Sequence, residues 1–158
     1  MSSNGTEIKV FIVDDHTVVR QGTRDILIKH DAFNVIGELE SGENLEGRLK
    51  LDVPDILLLD INLPGEENGL SLLEQVKPQF PEMRVVMFTA HTDLQYIRKA
   101  LKLKANGYLS KTVSEQELYE KLSQCVQQPE TPVYSEDIQK KLDQLLQDEQ
   151  STKLTARE

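Results

Sequence analysis

Five short apolar runs, each followed by a segment whose apolar residues recur at helical spacing, constrain this chain more than any other feature. The runs are Lys9-Val10-Phe11-Ile12-Val13, Val35-Ile36-Gly37-Glu38, Ile56-Leu57-Leu58-Leu59, Val85-Val86-Met87-Phe88 and Gly107-Tyr108-Leu109. Such alternation is the pattern of βα units wound around a parallel sheet. It predicts an α/β fold, a doubly wound five-stranded parallel sheet of (βα)5 form. Ile56 to Leu59 carries no polar alternation, as expected of a central strand covered on both faces. Val35 to Glu38 is less apolar and fits nearer an edge.

Between the runs, helices are expected over roughly Val18–His30, Leu45–Leu49, Leu70–Val76, Leu94–Lys102 and Ser114–Gln128. The first has Val18, Val19, Gly22 and Ile26 on one stripe. The last has Leu118, Leu122, Cys125 and Val126 at i, i+4, i+7 and i+8, Ser114 and Glu117 as a capping box, and Pro129 as its stop. Pro78 and Pro81 close the third. After Pro129 the composition turns polar. Residues 127–132 read as a linker and 135–150 as one more helix, whose only apolar stripe is Ile138, Leu142, Leu145 and Leu146. That stripe is too narrow for a core of its own, so the helix must dock, either on its own domain or across a dimer. A role in self-association is the favoured expectation.

Composition removes several function classes. Among 158 residues, 27 are acidic and 18 basic, for a net charge of −9. That acidic excess argues against a nucleic-acid-binding surface on these residues, because phosphate contacts require clustered Lys and Arg. No apolar run approaches the roughly 20 residues of a membrane span, and the first residues lack a secretory signal. A cytoplasmic protein without membrane contact is expected. The single cysteine, Cys125, cannot close an intrachain disulfide or build a multi-cysteine metal site, and sits where a packed core thiol would.

Ligands of parallel α/β sheets bind beyond the carboxyl ends of the strands. Past the first run come Asp14 and Asp15, past the third Asp60, past the fourth Thr89 and past the fifth Lys111. Each has an ordinary explanation taken singly, as a cap, a turn residue, a strand residue or a surface lysine. Together they place three carboxylates, a hydroxyl and an ammonium on one edge. Clustered carboxylates need a counterion, and a hard divalent cation such as Mg²⁺, with its oxygen ligands, meets that need. The charges then sum to zero, and a phosphoryl group could be transferred in line onto Asp60.

In this order and at these strand ends, the residues closely resemble the response-regulator receiver domain of two-component signalling, a flavodoxin-like fold. The Val13-Asp14-Asp15-His16 and Gly107-to-Lys111 segments look like its NarL/FixJ branch, and Leu154-Thr155-Ala156-Arg157-Glu158 looks like the opening of a LuxR-type helix-turn-helix domain. The resemblance implies a disordered segment over 1–7, a receiver over 8–128, a linker and linker helix over 129–150, and the start of a truncated DNA-binding domain over 151–158. It implies Asp60 as phosphoacceptor, and Asp14, Asp15, Asp60 and the backbone carbonyl of Asn62 as the Mg²⁺ site. Thr89 and Lys111 would contact phosphoryl oxygens, Tyr108 would be an aromatic switch that turns inward, and Ala90 would keep phosphate access open. Asn62 and His91 stand where the family tunes dephosphorylation. The implied partners are a histidine kinase, a second copy on phosphorylation, and DNA only through the domain beyond this chain. The implied role is a switch controlling transcription, rather than an enzyme.

Two departures stand out. The Pro64-to-Gly69 loop is one residue longer than the family's usual spacing, and Thr112 replaces the common proline after Lys111. The alternatives are an unphosphorylated pseudo-receiver that acts as an interaction module, and an Mg²⁺-dependent phosphohydrolase working through an aspartyl-phosphate. The latter typically carries its nucleophile on the first strand.

Overall fold

The computed structural model describes residues 7–157, with side chains described for 7–150. Six βα units follow one another: β1 (Ile8–Val13), α1 (Thr17–Ile28), β2 (Phe33–Leu39), α2 (Leu45–Leu51), β3 (Ile56–Leu59), α3 (Gly69–Gln79), β4 (Arg84–Thr89), α4 (Leu94–Lys102), β5 (Gly107–Ser110), α5 (Glu115–Gln127), β6 (Val133–Tyr134) and α6 (Glu136–Arg157). All strands are parallel, in the order β2-β1-β3-β4-β5-β6. As its composition indicated, β2 lies at one edge, and β3, buried at every position, lies inside.

Side chains alternate between two apolar layers, as strand geometry requires. Phe11, Val13, Leu57 and Leu59 face the layer that also contains Leu49 of α2, Leu73 of α3, Ile97 of α4 and Ile138 of α6. Val10, Ile12, Ile56 and Leu58 face the layer formed with Leu27 of α1 and Leu118, Leu122 and Cys125 of α5. Burying each large aliphatic side chain contributes roughly 1.5–3 kcal/mol before chain entropy is counted.

The stripe of α1 differs from the sequence expectation. Val18 is 82% exposed, and the buried residues are Thr23 and Leu27. The Thr23 hydroxyl donates to the Val19 carbonyl at 2.8 Å, so a residue that reads as polar satisfies itself within the helix and enters the core. The third helix also runs one residue past Pro78, closing with a bond from the Phe80 N–H to the Val76 carbonyl. In α5, the Ser114 side chain accepts from the Glu117 N–H at 3.0 Å, the expected cap.

A sixth strand joins the five expected. Two residues are too few to show alternation, so β6 is invisible to a pattern search. The Val133 N–H donates to the Asn106 carbonyl and the Ser135 N–H to the Tyr108 carbonyl. Gly107 permits the approach, since a Cβ there would lie 2.7 Å from Val133 Cγ2. From β6 the chain turns into α6, which docks on its own domain. Ile138 is fully buried and Leu142 packs beside it, whereas Leu146 is exposed. The backbone of α6 continues to Arg157 without a break at 151.

Cys125 is buried, and that burial pushes its thiol up from the usual 9.0 to about 11. The folded state thus holds a neutral thiol while the unfolded chain ionises. The associated stability is complete below about pH 9 and is lost as pH rises toward 11. We expect Cys125→Ala to flatten the stability decline over that window in denaturant titrations. The native thiol should react with a disulfide reagent only at the rate of unfolding.

Candidate functional site

Backbone ladders carry the site residues one step past their strands. The Asp14 N–H donates to the Leu39 carbonyl, the Asp60 N–H to the Val13 carbonyl and the Lys111 N–H to the Thr89 carbonyl, at 3.0, 3.0 and 3.1 Å. Asp14, Asp60 and Thr89 are buried, and of the groups that sequence alone placed at strand ends, Asp14, Asp15, Asp60 and Lys111 meet in one recess.

The Lys111 ammonium bridges two of the carboxylates, 2.6 Å from Asp60 Oδ2 and 2.7 Å from Asp14 Oδ2. Burial works against its charge, but the bonds to Asp14 and Asp60 outweigh burial and hold its pKa above the usual lysine range. The remaining oxygens are oriented locally. Asp14 Oδ1 accepts from the His16 N–H at 2.9 Å, and Asp60 Oδ1 from the Asn62 N–H at 3.3 Å.

Asp15 is different. His16 Nδ1 lies 3.1 Å from Asp15 Oδ1 but without hydrogen-bond alignment, and that buried oxygen has no partner. Ligand atoms of Asp14, Asp15, His16 and Asp60 all fall within 4.8 Å of one another. Counted formally, three carboxylates against one ammonium give the recess −2. A hard divalent cation satisfies both the orphaned oxygen and the charge, so these residues fit Mg²⁺. His16 was the member that sequence spacing did not single out, although its adjacency to Asp14 and Asp15 was the available signal.

At β4 and β5, Thr89 Oγ1 accepts from the His91 N–H at 3.1 Å, while the Tyr108 hydroxyl donates to the His91 carbonyl at 2.6 Å. Tyr108 is fully buried, and burial raises its pKa well above the usual phenol range. The ring already points inward, so no inward swing remains to be made from this conformation. The His91 ring itself stands edge-on to Tyr96, with centroids 5.5 Å apart. Asn62 is exposed.

The lengthened loop after Asp60 ends in a tight contact. The Gly69 N–H donates to the Ile61 carbonyl at 2.8 Å, and a Cβ on Gly69 would sit 2.0 Å from the Asp60 carbonyl oxygen. Within this loop Gly65 takes φ +95°, a conformation that L side chains rarely adopt. The sequence marked Gly69 only as the end of a loop, whereas the fold packs it against the Asp60 carbonyl.

A model of the response regulator receiver domain matches residues 10–123. The chain belongs to this family. The receiver is 33% identical over 117 residues to the transcriptional regulatory protein DegU of Brevibacillus brevis, covering 74% of this chain and 49% of that one. It is 33% identical over 124 residues to the nitrate/nitrite response regulator NarL of Escherichia coli K12, covering 78% and 56%. The receiver thus spans about half the length of these curated relatives. Among solved structures, the signal receiver domain of the NarL response regulator from Mycobacterium tuberculosis superposes with a TM-score of 0.72 at 28% identity, covering 77% of this chain and 98% of that one. The isolated receiver of Salmonella RcsB with the phosphomimetic BeF3− gives 0.76 at 25%, covering 85% and 97%. Receivers bind Mg²⁺ in an acidic pocket, and this one holds a cluster that could take it. Response regulators are signalling switches rather than conventional enzymes, and no helix among the described residues is long and apolar enough to cross a membrane.

Proposed function

We propose that this receiver is a phosphorylation-activated switch in which Asp60 accepts a phosphoryl group from a histidine kinase. In the full-length protein it would control self-association and DNA binding by an output domain outside this chain. The observation that carries the reading is Lys111 bridging Asp60 and Asp14 beside the unpartnered oxygen of Asp15.

A carboxylate oxygen of Asp60 attacks phosphorus in line, forming a P–O bond as the P–N bond of the donor phosphohistidine breaks and its imidazole leaves. Asp15, Asp14, Asp60 and the Asn62 carbonyl would hold Mg²⁺, which supplies charge neutralisation at the phosphoryl oxygens. Lys111 exchanges a carboxylate contact for a phosphoryl oxygen. The Thr89 hydroxyl can donate its hydrogen to another such oxygen while still accepting from the His91 N–H. The acyl phosphate carries roughly −1.5 to −2 of charge in place of the carboxylate's −1, and its oxygens draw Thr89 and Lys111 together. Cytoplasmic location and dimerisation on phosphorylation belong to the same reading. RcsB dimers have been seen bound to DNA.

Incubation with acetyl phosphate and Mg²⁺ tests it. The chain should gain the mass of one phosphoryl group that persists for minutes and is absent with chelator. No adduct would identify a pseudo-receiver, and continuous consumption of acetyl phosphate in large excess over protein would identify a phosphohydrolase.

A further inference from the structure

The β6–α6 unit touches the receiver next to both groups that would close on a phosphoryl oxygen. From α6, Lys141 Nζ donates to the Thr92 carbonyl at 2.6 Å and to Thr92 Oγ1 at 2.9 Å. Thr92 lies three residues past Thr89, in a segment whose middle residue, His91, is already held by Thr89 Oγ1 and the Tyr108 hydroxyl. At the start of α6, the buried Ser135 hydroxyl accepts from the Ser110 N–H at 3.0 Å and donates to Asp137 Oδ1 at 2.7 Å. Ser110 directly precedes Lys111.

Among the described side chains, α6 is further attached by a buried Ile138, the half-buried Leu142 and Leu145, a bond from the Glu136 N–H to Glu117 at the exposed surface, and an exposed Arg98–Glu149 pair at 3.9 Å. A helix attached through so few apolar side chains is a low-stability element of the fold. The two bonds of Lys141 are therefore a substantial part of what holds its middle. Tyr108 is already inward, and segment 90–93, tied to Thr89 through the His91 N–H, is the part that follows when Thr89 is drawn toward the phosphoryl group.

We propose that Lys141 is a latch whose grip on Thr92 depends on the state of Asp60, so that phosphorylation loosens α6 from the receiver. The inference rests on the phosphoacceptor reading above. Movement of Thr89 carries Thr92 away from Lys141, and α6 frays from its middle while Ser135 keeps its start in place. Coupling is reciprocal, so removing the latch must also favour the phosphorylated state.

Hydrogen exchange of the whole chain, with and without beryllofluoride and Mg²⁺, provides the test. Occupancy of the site is followed separately through the Thr89 and Lys111 amide shifts. In the unaltered chain, beryllofluoride should speed exchange at amides 139–150 by about tenfold, within the usual range for coupled sites. Lys141→Gln should show comparable fast exchange without beryllofluoride and bind it more tightly by a similar factor, while Lys141→Arg retains the slow exchange. If beryllofluoride shifts Thr89 and Lys111 yet α6 exchange is unchanged, or if Lys141→Gln matches the unaltered chain in both readouts, the latch is wrong and the phosphoacceptor reading stands. If beryllofluoride does not bind, both fall.

Discussion

Gly69→Ala is expected to lower the stability of the receiver by about 3 kcal/mol and to slow phosphorylation of Asp60. The added methyl would lie 2.0 Å from the Asp60 carbonyl oxygen and 2.7 Å from Ile61 Cα, both backbone atoms without a rotamer to escape into. Either α3 must back away, losing the Gly69–Ile61 hydrogen bond, or the Asp60 backbone must shift. Overpacking of this kind costs about 1–3 kcal/mol and sometimes more. For a chain of this size, a 3 kcal/mol loss lowers Tm by roughly 10 °C. Gly22→Ala is the control, because a Cβ there meets nothing within 4 Å. In mid-helix it should stabilise by up to about 1 kcal/mol. Equal Tm values for the two variants would refute the steric account of Gly69.

Lys111→Met should be the more severe change in the absence of Mg²⁺ and the more correctable in its presence. The substitution leaves Asp14 and Asp60, each 3% exposed, without the ammonium that joins them at 2.7 and 2.6 Å. Removing one partner of a buried ion pair costs about 3–5 kcal/mol, because the other charge stays buried and unpaired. Mg²⁺ binding to the folded form should recover part of that loss by mass action. Thermal melts should therefore show a larger Mg²⁺-dependent rise in Tm for Lys111→Met than for the unaltered chain. Phosphorylation should stay slow even with Mg²⁺, since a ligand for the phosphoryl oxygens is gone. A smaller Mg²⁺ response in the variant would mean that Lys111 does not compete with the cation for carboxylate charge.

The sheet and the members of the recess were legible in the sequence because both follow from strand position. Apolar runs mark where each parallel strand ends, and the topology of such sheets brings those ends to one edge, so Asp14, Asp60, Thr89 and Lys111 could be placed together without any contact being known. What stayed hidden depends on contacts between segments distant in sequence. β6 exists because Gly107 lets Val133 close on β5, which neither segment reveals alone. Thr23 enters the core because its hydroxyl bonds within α1, and hydropathy misplaced Val18 and Val19, which are exposed, while Ile26 of the same expected stripe packs on the core. The buried Tyr108 could be read as a switch residue but not as one already turned in. Ser135 had a local signal, a serine ahead of Glu136 and Asp137 at a helix start. Lys141 had none, because its meaning lies in Thr92, 49 positions away.

Borohydride trapping tests the identity of the phosphoacceptor most directly. An acyl phosphate on a carboxylate is reduced to an alcohol, which converts an aspartyl phosphate into homoserine and fixes its position for peptide mapping. After treatment with acetyl phosphate and Mg²⁺, homoserine is expected at position 60 alone, and Asp60→Asn should yield none. Homoserine at position 14 or 15, or an undiminished yield in Asp60→Asn, would contradict the assignment of Asp60.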